Sequence, residues 1–481
     1  MMEAGFLDDL RGLLAPDAVL AEGAERAVYE CDAYTVEKSA PNVVVLPSTS
    51  DEIVSIVRLC NRHGIPFLAR GAGTGLSGGA IALGRTVIIG LARMNRVISV
   101  DAVNRRARVQ AGVVNARVSK AAAPHGLHFA PDPSSQSAST IGGNIAENAG
   151  GPHTLKYGVT TNHILSIQVV TPDGTLVEVG AQVEDLPGYD LLGLYVGSEG
   201  TFGIITEATV RLTPDPPAWR TLLAVFDTLD DATNTVGGVF AEGIVPAAVE
   251  MMDGTIIQSV EAAFRLGFPL DAAAVLLIEL DGLEAGLDRS EQTCRAVCER
   301  FHARSVQSAR NEEERTALWT ARKKGVGTLG RISRSMVTQD CVIPRSSLPR
   351  VLSAISGIVA AHGLRVANIF HAGDGNLHPI VLFDERIPEE VEQMIATNHE
   401  IVELCLSIGG SITGEHGVGV EKQDFLTLQF SEADLDVMRR IHTALDPRDL
   451  CNPGKVFPGS KGCSRGCVTT EFNLARKRAA V

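Results

Sequence analysis

Three glycine-rich loops set among short β-branched runs constrain what residues 41–213 can fold into. The runs VVVL, PFLA, VIIGL, ARVQAG, LSIQVV, TLVEV and GIITEATVRL have strand length and composition, with a few helical patterns between them. This alternation predicts an α+β nucleotide-binding region. In and just after the first loop, IPFLARGAGTGLSGGA, six glycines fall within fourteen residues, namely Gly71, Gly73, Gly75, Gly78, Gly79 and Gly84. Main chain this free of Cβ atoms can turn its N–H groups toward a phosphate. Gly73, Gly75 and Gly78 satisfy G-x-G-x-x-G, but that dinucleotide fingerprint must open a helix and lead to a strand ending in an acidic residue. Here another strand follows, RTVIIGLARM, with Arg93 and Arg96 where the acid would stand. A nicotinamide Rossmann site is therefore rejected.

The second loop, PDPSSQSASTIGGNIAENAGG, offers the hydroxyls of Ser134, Ser135, Ser139 and Thr140, and room for close backbone approach at Gly142 and Gly143. The third, YVGSEGTFGIITEATV, repeats that chemistry ahead of a strand. Three such loops in one region favour an extended cofactor containing a polyphosphate.

A chain of 481 residues, 45% of them hydrophobic, is too long for one compact unit. Residues 1–40 read as an N-terminal helical segment and 41–216 as the cofactor-binding domain, closed by Pro214, Pro216 and Pro217. Residues 217–388 carry longer strand patterns, LLAVF, AVLLIEL and RVANIFHA, between helices rich in Ala, Glu and Arg. A cap domain with a mostly antiparallel sheet, covered by helices on one face, is expected there. Residues 389–458 read as a helical region completing the site, and 459–481 as a mobile tail.

A net charge of −14 repels phosphate backbones, which excludes nucleic acid as a partner. Asp8, Asp9 and Arg11 interrupt the apolar N-terminal pattern as in an amphipathic helix and unlike a signal peptide. No apolar run approaches the ~20 residues of a transmembrane helix, and the expected location is cytoplasmic. Nine cysteines without framework spacing predict free thiols. Cys294 with Cys298, and Cys463 with Cys467, read as unliganded, and no run of cysteines suits an iron–sulfur cluster.

Downstream, RVANIFHAGDGNLHPIVLF places Asp374-Gly375 between two apolar runs, which predicts a two-residue hairpin turn. Pairing about that turn sets Gly373 opposite Asn376, Ala372 opposite Leu377 and His371 opposite His378. Opposed Cβ atoms lie ~5 Å apart, so both imidazoles can reach one ion. Glu415 and His416, in the glycine-rich turn SITGEHGVGVEK, add a carboxylate and a further imidazole. Two histidines and a carboxylate with an open position make a catalytic metal set for zinc, manganese or iron, and spacing does not choose among them.

In this order the three loops resemble the FAD-binding domain of the vanillyl-alcohol oxidase and p-cresol methylhydroxylase superfamily. From about residue 41 to 457 the chain resembles the glycolate oxidase D-subunit family of FAD-linked D-2-hydroxy acid dehydrogenases. The resemblance implies a two-part FAD-binding domain plus a cap domain. It places the diphosphate on the 70–79 loop, with Arg70, Gly71, Ala72, Gly73, Thr74, Gly75 and Leu76 as contacts, and the flavin ring against residues 141–151. Further FAD contacts are implied at Pro131, Ser134, Ser135, Ser139, Thr140, Gly142, Gly143, Asn144, Asn148 and Gly150, and at Gly203, Ile205 and Asn452. Relatives that attach the flavin covalently through the first loop carry His where this chain has Thr74, so the implied FAD is dissociable. The same resemblance makes His371, His378 and Glu415 ligands of a divalent metal, His416 the base and Asn376 a substrate contact. Arg322, in LWTARKK, becomes the holder of the substrate carboxylate.

The implied reaction is oxidation of a small D-2-hydroxy acid, glycolate or D-lactate, to the 2-oxo acid. His416 would take the hydroxyl proton as the α-hydrogen leaves as hydride to flavin N5. Relatives acting on D-2-hydroxyglutarate carry a Lys for the distal carboxylate in the strand that here reads SMVTQDCVIP, where this chain has Thr338, with Lys323 and Lys324 nearby. A larger D-2-hydroxy acid, or a non-redox transfer on the same FAD scaffold, is the alternative. Electrons would pass to companion flavin and iron–sulfur subunits, a quinone or oxygen, and such subunits would hold the chain peripherally at the inner membrane.

Overall fold

Val43–Val45 and Val87–Gly90 are buried at every position, as strands covered on both faces must be, and they pair in parallel with Phe67–Arg70 beyond them. In this computed structural model, which describes residues 4–181, 183 and 187–458, Val19–Leu20 completes the sheet at its other edge. Helix Ser50–His63 makes the crossover between parallel strands. A Thr49/Glu52 capping box opens it, and Gly64 in the left-handed region closes it. Helix Ala4–Leu13, the amphipathic segment expected from Asp8, Asp9 and Arg11, packs Phe6 and Leu10 into the same core.

A second sheet is antiparallel throughout, in the order Val97–Asp101, Arg106–Gln110, Ile204–Arg211, Ile164–Val170 and Leu176–Gly180. Val109, Ile167 and Ala208 join this sheet to the core of the first.

The third sheet runs Ser305–Ser308, Ala218–Phe226, Ala274–Gly282, Ala248–Asp253, Arg365–His371, antiparallel at each step. Helices cover both of its faces, not the one expected. Leu222, Ala224 and Phe226 pack with helices Leu229–Ala241, Glu284–Arg300 and Leu348–Ala361, whereas Leu223 and Val225 pack with Gly254–Phe264 and Glu312–Thr328. Successive strand residues point to opposite faces, so an unbroken apolar run such as LLAVF requires cover on both.

After helices Pro388–Ser407 and Glu432–Leu445 the chain returns to the first sheet. Phe67 N donates to Leu450 O (2.9 Å) and Asn452 N to Phe67 O (2.7 Å). Between those helices the glycine-rich 409–419 turn lies over the first loop, where Ser77 Oγ donates to His416 O (2.9 Å) and Val420 N to Ser77 O (2.9 Å). Among the described residues no helix is long and apolar enough to cross a membrane, and the cysteines, Cys294 and Cys298 included, are free thiols. The expected tail at 459–481, with Cys463 and Cys467, lies outside the described residues.

Candidate functional site

A cavity opens where the glycine loops meet the third sheet. One wall is built largely from glycines and from small or hydroxyl-bearing residues. The first loop contributes Gly71, Ala72, Gly73, Thr74, Gly75 and Leu76, and the second contributes Ser134, Ser135, Ser139, Thr140, Gly142, Gly143 and Asn144. Gly203 and Ile205 come from the third loop and Asn452 from the returning C-terminal segment. Gly73 has φ +68°, and a Cβ there would stand 2.3 Å from Arg70 Nη2, so this curvature needs glycine. At Gly142 a Cβ would stand 2.8 Å from that of Ala111, and its absence lets helix Ile141–Glu147 settle onto the second sheet. Ser139 Oγ and Asn144 Nδ2 are buried on this wall without a hydrogen-bond partner. Buried polar atoms are nearly always paired, so the wall fits a large polar ligand.

Four residues expected to touch FAD do not line the cavity. Arg70 turns behind its loop and donates to Cys31 O (2.8 Å) and Ala80 O (3.2 Å), so it shapes the turn from inside. Pro131 presents its carbonyl to Asn115 Nδ2 (3.0 Å). Asn148 ends its helix at φ 53° and accepts from Thr161 N (2.9 Å). Gly150 donates its N–H to Glu415 Oε2 (3.1 Å), tying the second loop to the opposite wall.

That opposite wall is made of side chains. Its hairpin departs from the expected pairing: His371 pairs with Asn376 and Asn368 with Pro379, so residues 372–375 form a four-residue turn. The register is displaced by two, and a displacement of two keeps every side chain on its face. His371 and His378 therefore still meet, with ring centres 5.1 Å apart at 84°. Both Nε2 atoms point at Glu415 Oε1, at 3.1 Å from His371 and 3.2 Å from His378. Their Nδ1 atoms are held from outside, His371 by Glu250 (2.9 and 3.0 Å) and His378 by Gln339 O (3.2 Å).

His416 stacks on His378 with ring centres 4.9 Å apart and planes 3° from parallel, and it lines the cavity. Asp340 Oδ2 sets this loop by accepting from Thr413 Oγ1 (2.6 Å) and from the N–H groups of Gly414 (2.9 Å), Glu415 (3.1 Å) and His416 (2.8 Å). Arg322, on helix Glu312–Thr328, also lines the cavity. Its Nη2 is ion-paired with Glu250, and its Nε is buried without a partner. Asn376, expected at the substrate, does not line the cavity. It packs beneath Gly414, where a Cβ would stand 2.8 Å from its amide.

Two ligands of one tetrahedral ion, each about 2.0–2.1 Å from it, lie about 3.3 Å from one another. The two imidazole-to-Glu415 contacts are close to that edge, and each outer Nδ1 meets a carboxylate or a carbonyl, as metal-bound histidines do. The set His371, His378 and Glu415 thus fits a divalent cation. A second grouping, Asp340, His378, Glu415 and His416, also places one ligand atom of each within 4.8 Å of the others. In that group Asp340 Oδ2 accepts from four donors and cradles the loop, while its Oδ1 is buried without a hydrogen-bond partner. Burial opposes charge throughout, yet Glu250 and Glu415 lift His371 well above the usual imidazole range, and the two imidazoles hold Glu415 well below the carboxylate range. His416 moves the other way: burial pushes it down to about 4 despite the attraction of Asp340.

Sequence reasoning missed Glu250, Asp340, Glu147 and Glu199. For Glu250 the available signal is an acid within AVEMMD, a strand buried at every position. Glu199 accepts from Val418 N (2.7 Å) and Gly419 N (2.6 Å), joining the third loop to the Glu415 loop, and Glu147 lies beside it on the cavity wall.

Residues 41–180 match the family described as FAD binding domain, and residues 215–456 match FAD linked oxidases, C-terminal domain. The chain is 44% identical over 446 residues to glycolate oxidase subunit GlcD of Escherichia coli (strain K12), covering 93% of this chain and 89% of that one. It is 32% identical over 429 residues to D-lactate dehydrogenase of Anaerostipes hadrus, covering 87% and 90% respectively. Among solved structures, p-cresol methylhydroxylase with substrate bound has the same fold, with a TM-score of 0.81 at 18% identity over 94% of this chain and 96% of the other.

Proposed function

This chain belongs to the FAD-linked oxidases, in the group of glycolate oxidase GlcD subunits and D-lactate dehydrogenases, and from that premise we propose how its two cavity walls divide the work. It is an FAD-dependent oxidoreductase acting on small 2-hydroxy acids. The substrate is a D-2-hydroxy acid, glycolate or D-lactate, two acids that differ by a methyl group worth only ~1–3 kcal/mol in a pocket.

The glycine wall holds FAD, which when bound supplies the two-electron acceptor for the α-hydrogen. Thr74 presents no imidazole for covalent attachment, so the cofactor is dissociable. His371, His378 and Glu415 would hold a divalent cation, zinc, manganese or iron, which would supply Lewis acidity at the substrate hydroxyl. Arg322 receives the substrate carboxylate through charge-assisted hydrogen bonds, and its ion pair with Glu250 keeps the guanidinium from swinging. His416 accepts the hydroxyl proton. Its ring is fixed by the stack on His378 and by the hold of Asp340 on its backbone. Electrons leave to companion flavin and iron–sulfur subunits or to a quinone, and these partners hold the chain at the inner membrane.

The observation that carries this reading is the convergence of both Nε2 atoms on Glu415 Oε1, in a wall that faces the glycine loops across one cavity. Anaerobic mixing of the FAD-loaded protein with glycolate and with D-lactate tests it, and bleaching of the flavin absorbance is expected with at least one. In His416→Ala, FAD should stay bound while flavin reduction slows by ~10²-fold or more. Reduction at an unchanged rate would remove His416 from the chemistry.

A further inference from the structure

We propose that Asp132 sets a preference for substrates with a single carboxylate, by holding Lys323 in a closed ion pair at the cavity wall. The inference rests on the 2-hydroxy acid oxidation described above and names what limits its substrate range. Lys323 follows Arg322 on helix Glu312–Thr328, and both side chains line the cavity. The Lys323 ammonium lies 2.9 Å from Asp132 Oδ2, with 21% of the lysine side chain exposed and 13% of the aspartate's. Asp132 is also fixed from its far side. His153 donates its backbone N–H to Oδ1 (3.2 Å), His153 Nδ1 lies 2.9 Å from Oδ2, and His153 Nε2 reaches Glu279 Oε1 (3.3 Å).

An ammonium anchors a second carboxylate only if its charge is not already matched. Turning Lys323 into the cavity would break this largely buried ion pair and leave Asp132 to His153 alone, which is unfavourable. The rest of this wall offers no replacement: Thr338 is neutral, and Arg322 is committed along one edge to Glu250. A distal carboxylate would therefore lose water without gaining a partner, whereas hydrogen or a methyl group at the same place meets no such cost. A lysine at position 323 without its aspartate would favour dicarboxylates, so the selectivity resides in Asp132.

The measurement is the ratio of kcat/KM for D-malate to that for D-2-hydroxybutyrate, a neutral-tailed acid of similar size. Asp132→Asn should raise this ratio on the order of tenfold, mostly through KM, as expected for one new hydrogen bond to a charged group. Asp132→Asn combined with Lys323→Met should cancel the gain. Lys323→Met alone should not raise the ratio, since Asp132 keeps His153 as partner and stays a negative charge, and Asp132→Ser, which also frees Lys323, replaces Asp132→Asn if that variant does not fold. A ratio that does not move in Asp132→Asn, or a gain that persists in the double variant, overturns the proposal. Dissociation constants for the same two acids, read from perturbation of the flavin absorbance, give the same ratio without turnover. Failure of wild-type flavin to bleach with any hydroxy acid would instead count against the activity itself.

Discussion

On the glycine-loop side of the cavity, main-chain and hydroxyl groups come from segments that are each contiguous in sequence. On the histidine side, every functional side chain is clamped from behind by a residue of another element: His371 and Arg322 by Glu250, His378 by Gln339 O, and the Glu415–His416 turn by Asp340. The two sides are preorganised differently. A main-chain cradle is spoiled by an added Cβ, whereas a clamped cluster is spoiled by a lost partner. Gly150 N to Glu415 Oε2 (3.1 Å) joins them directly.

The largest effect that separates the sides is expected in Glu415→Ala. Both imidazoles lose their point of convergence, so divalent metal content should fall and flavin reduction should slow by ~10³-fold, the equivalent of several kcal/mol of Lewis-acid stabilisation. FAD content should hold. Elemental analysis alongside flavin absorbance checks both, and joint loss of FAD and metal would show that the sides do not act separately.

Next comes Glu250→Gln, which touches neither substrate nor cofactor. It should weaken metal retention or activity by about 10- to 100-fold, as loss of an outer partner does, while the affinity for FAD stays put. Its mirror image is Gly73→Ala. An L-residue in the left-handed region costs ~1–2 kcal/mol, and the new Cβ also displaces the Arg70 guanidinium. FAD should bind about tenfold more weakly in titrations of the apoprotein, with metal content unaltered. If Gly73→Ala sheds metal as readily as FAD, the division between the walls fails.

The same contrast governs what could be read from the chain. Glycine spacing marks the loops because backbone geometry is a local property. It says nothing of Arg70, a contact implied only by the family resemblance, whose guanidinium turns inward to Cys31 O and Ala80 O. The histidine pair was legible through strand parity, which survives the two-residue displacement of the hairpin register. Asn376 was not, since a position opposite His371 does not fix which way its amide packs against Gly414. Glu250 lies within an apolar strand and Asp340 follows Thr338 and Gln339, and their partners are 121 and 76 positions away in Glu250–His371 and Asp340–His416. A lone acid in an apolar strand can mark Glu250, but no local pattern names the distant partner. The covering of both faces of the third sheet was written in runs such as LLAVF, but a continuous apolar run states only that both sides are buried and not by what.

The smallest effect lies at the seam between the two regions. His153, just past the second loop, reaches Asp132 Oδ2 (2.9 Å) and, in the third sheet, Glu279 Oε1 (3.3 Å). Burial opposes its protonation, yet these carboxylates lift its pKa to about 10. A histidine whose folded value exceeds its unfolded value of ~6.5 binds more protons in the folded state. Its contribution to stability is therefore complete below the unfolded value, declines as pH rises, and is gone once pH passes the folded one. Breaking a buried charged link costs ~3–5 kcal/mol, which in a chain this long moves the thermal midpoint by only a few degrees. The wild-type midpoint should exceed that of His153→Gln by that margin at about pH 6, with the gap closing steadily toward about pH 10. A gap that stays constant across this range would mean that His153 is neutral in the folded protein, and that the walls are joined by packing and by Gly150 instead of by charge.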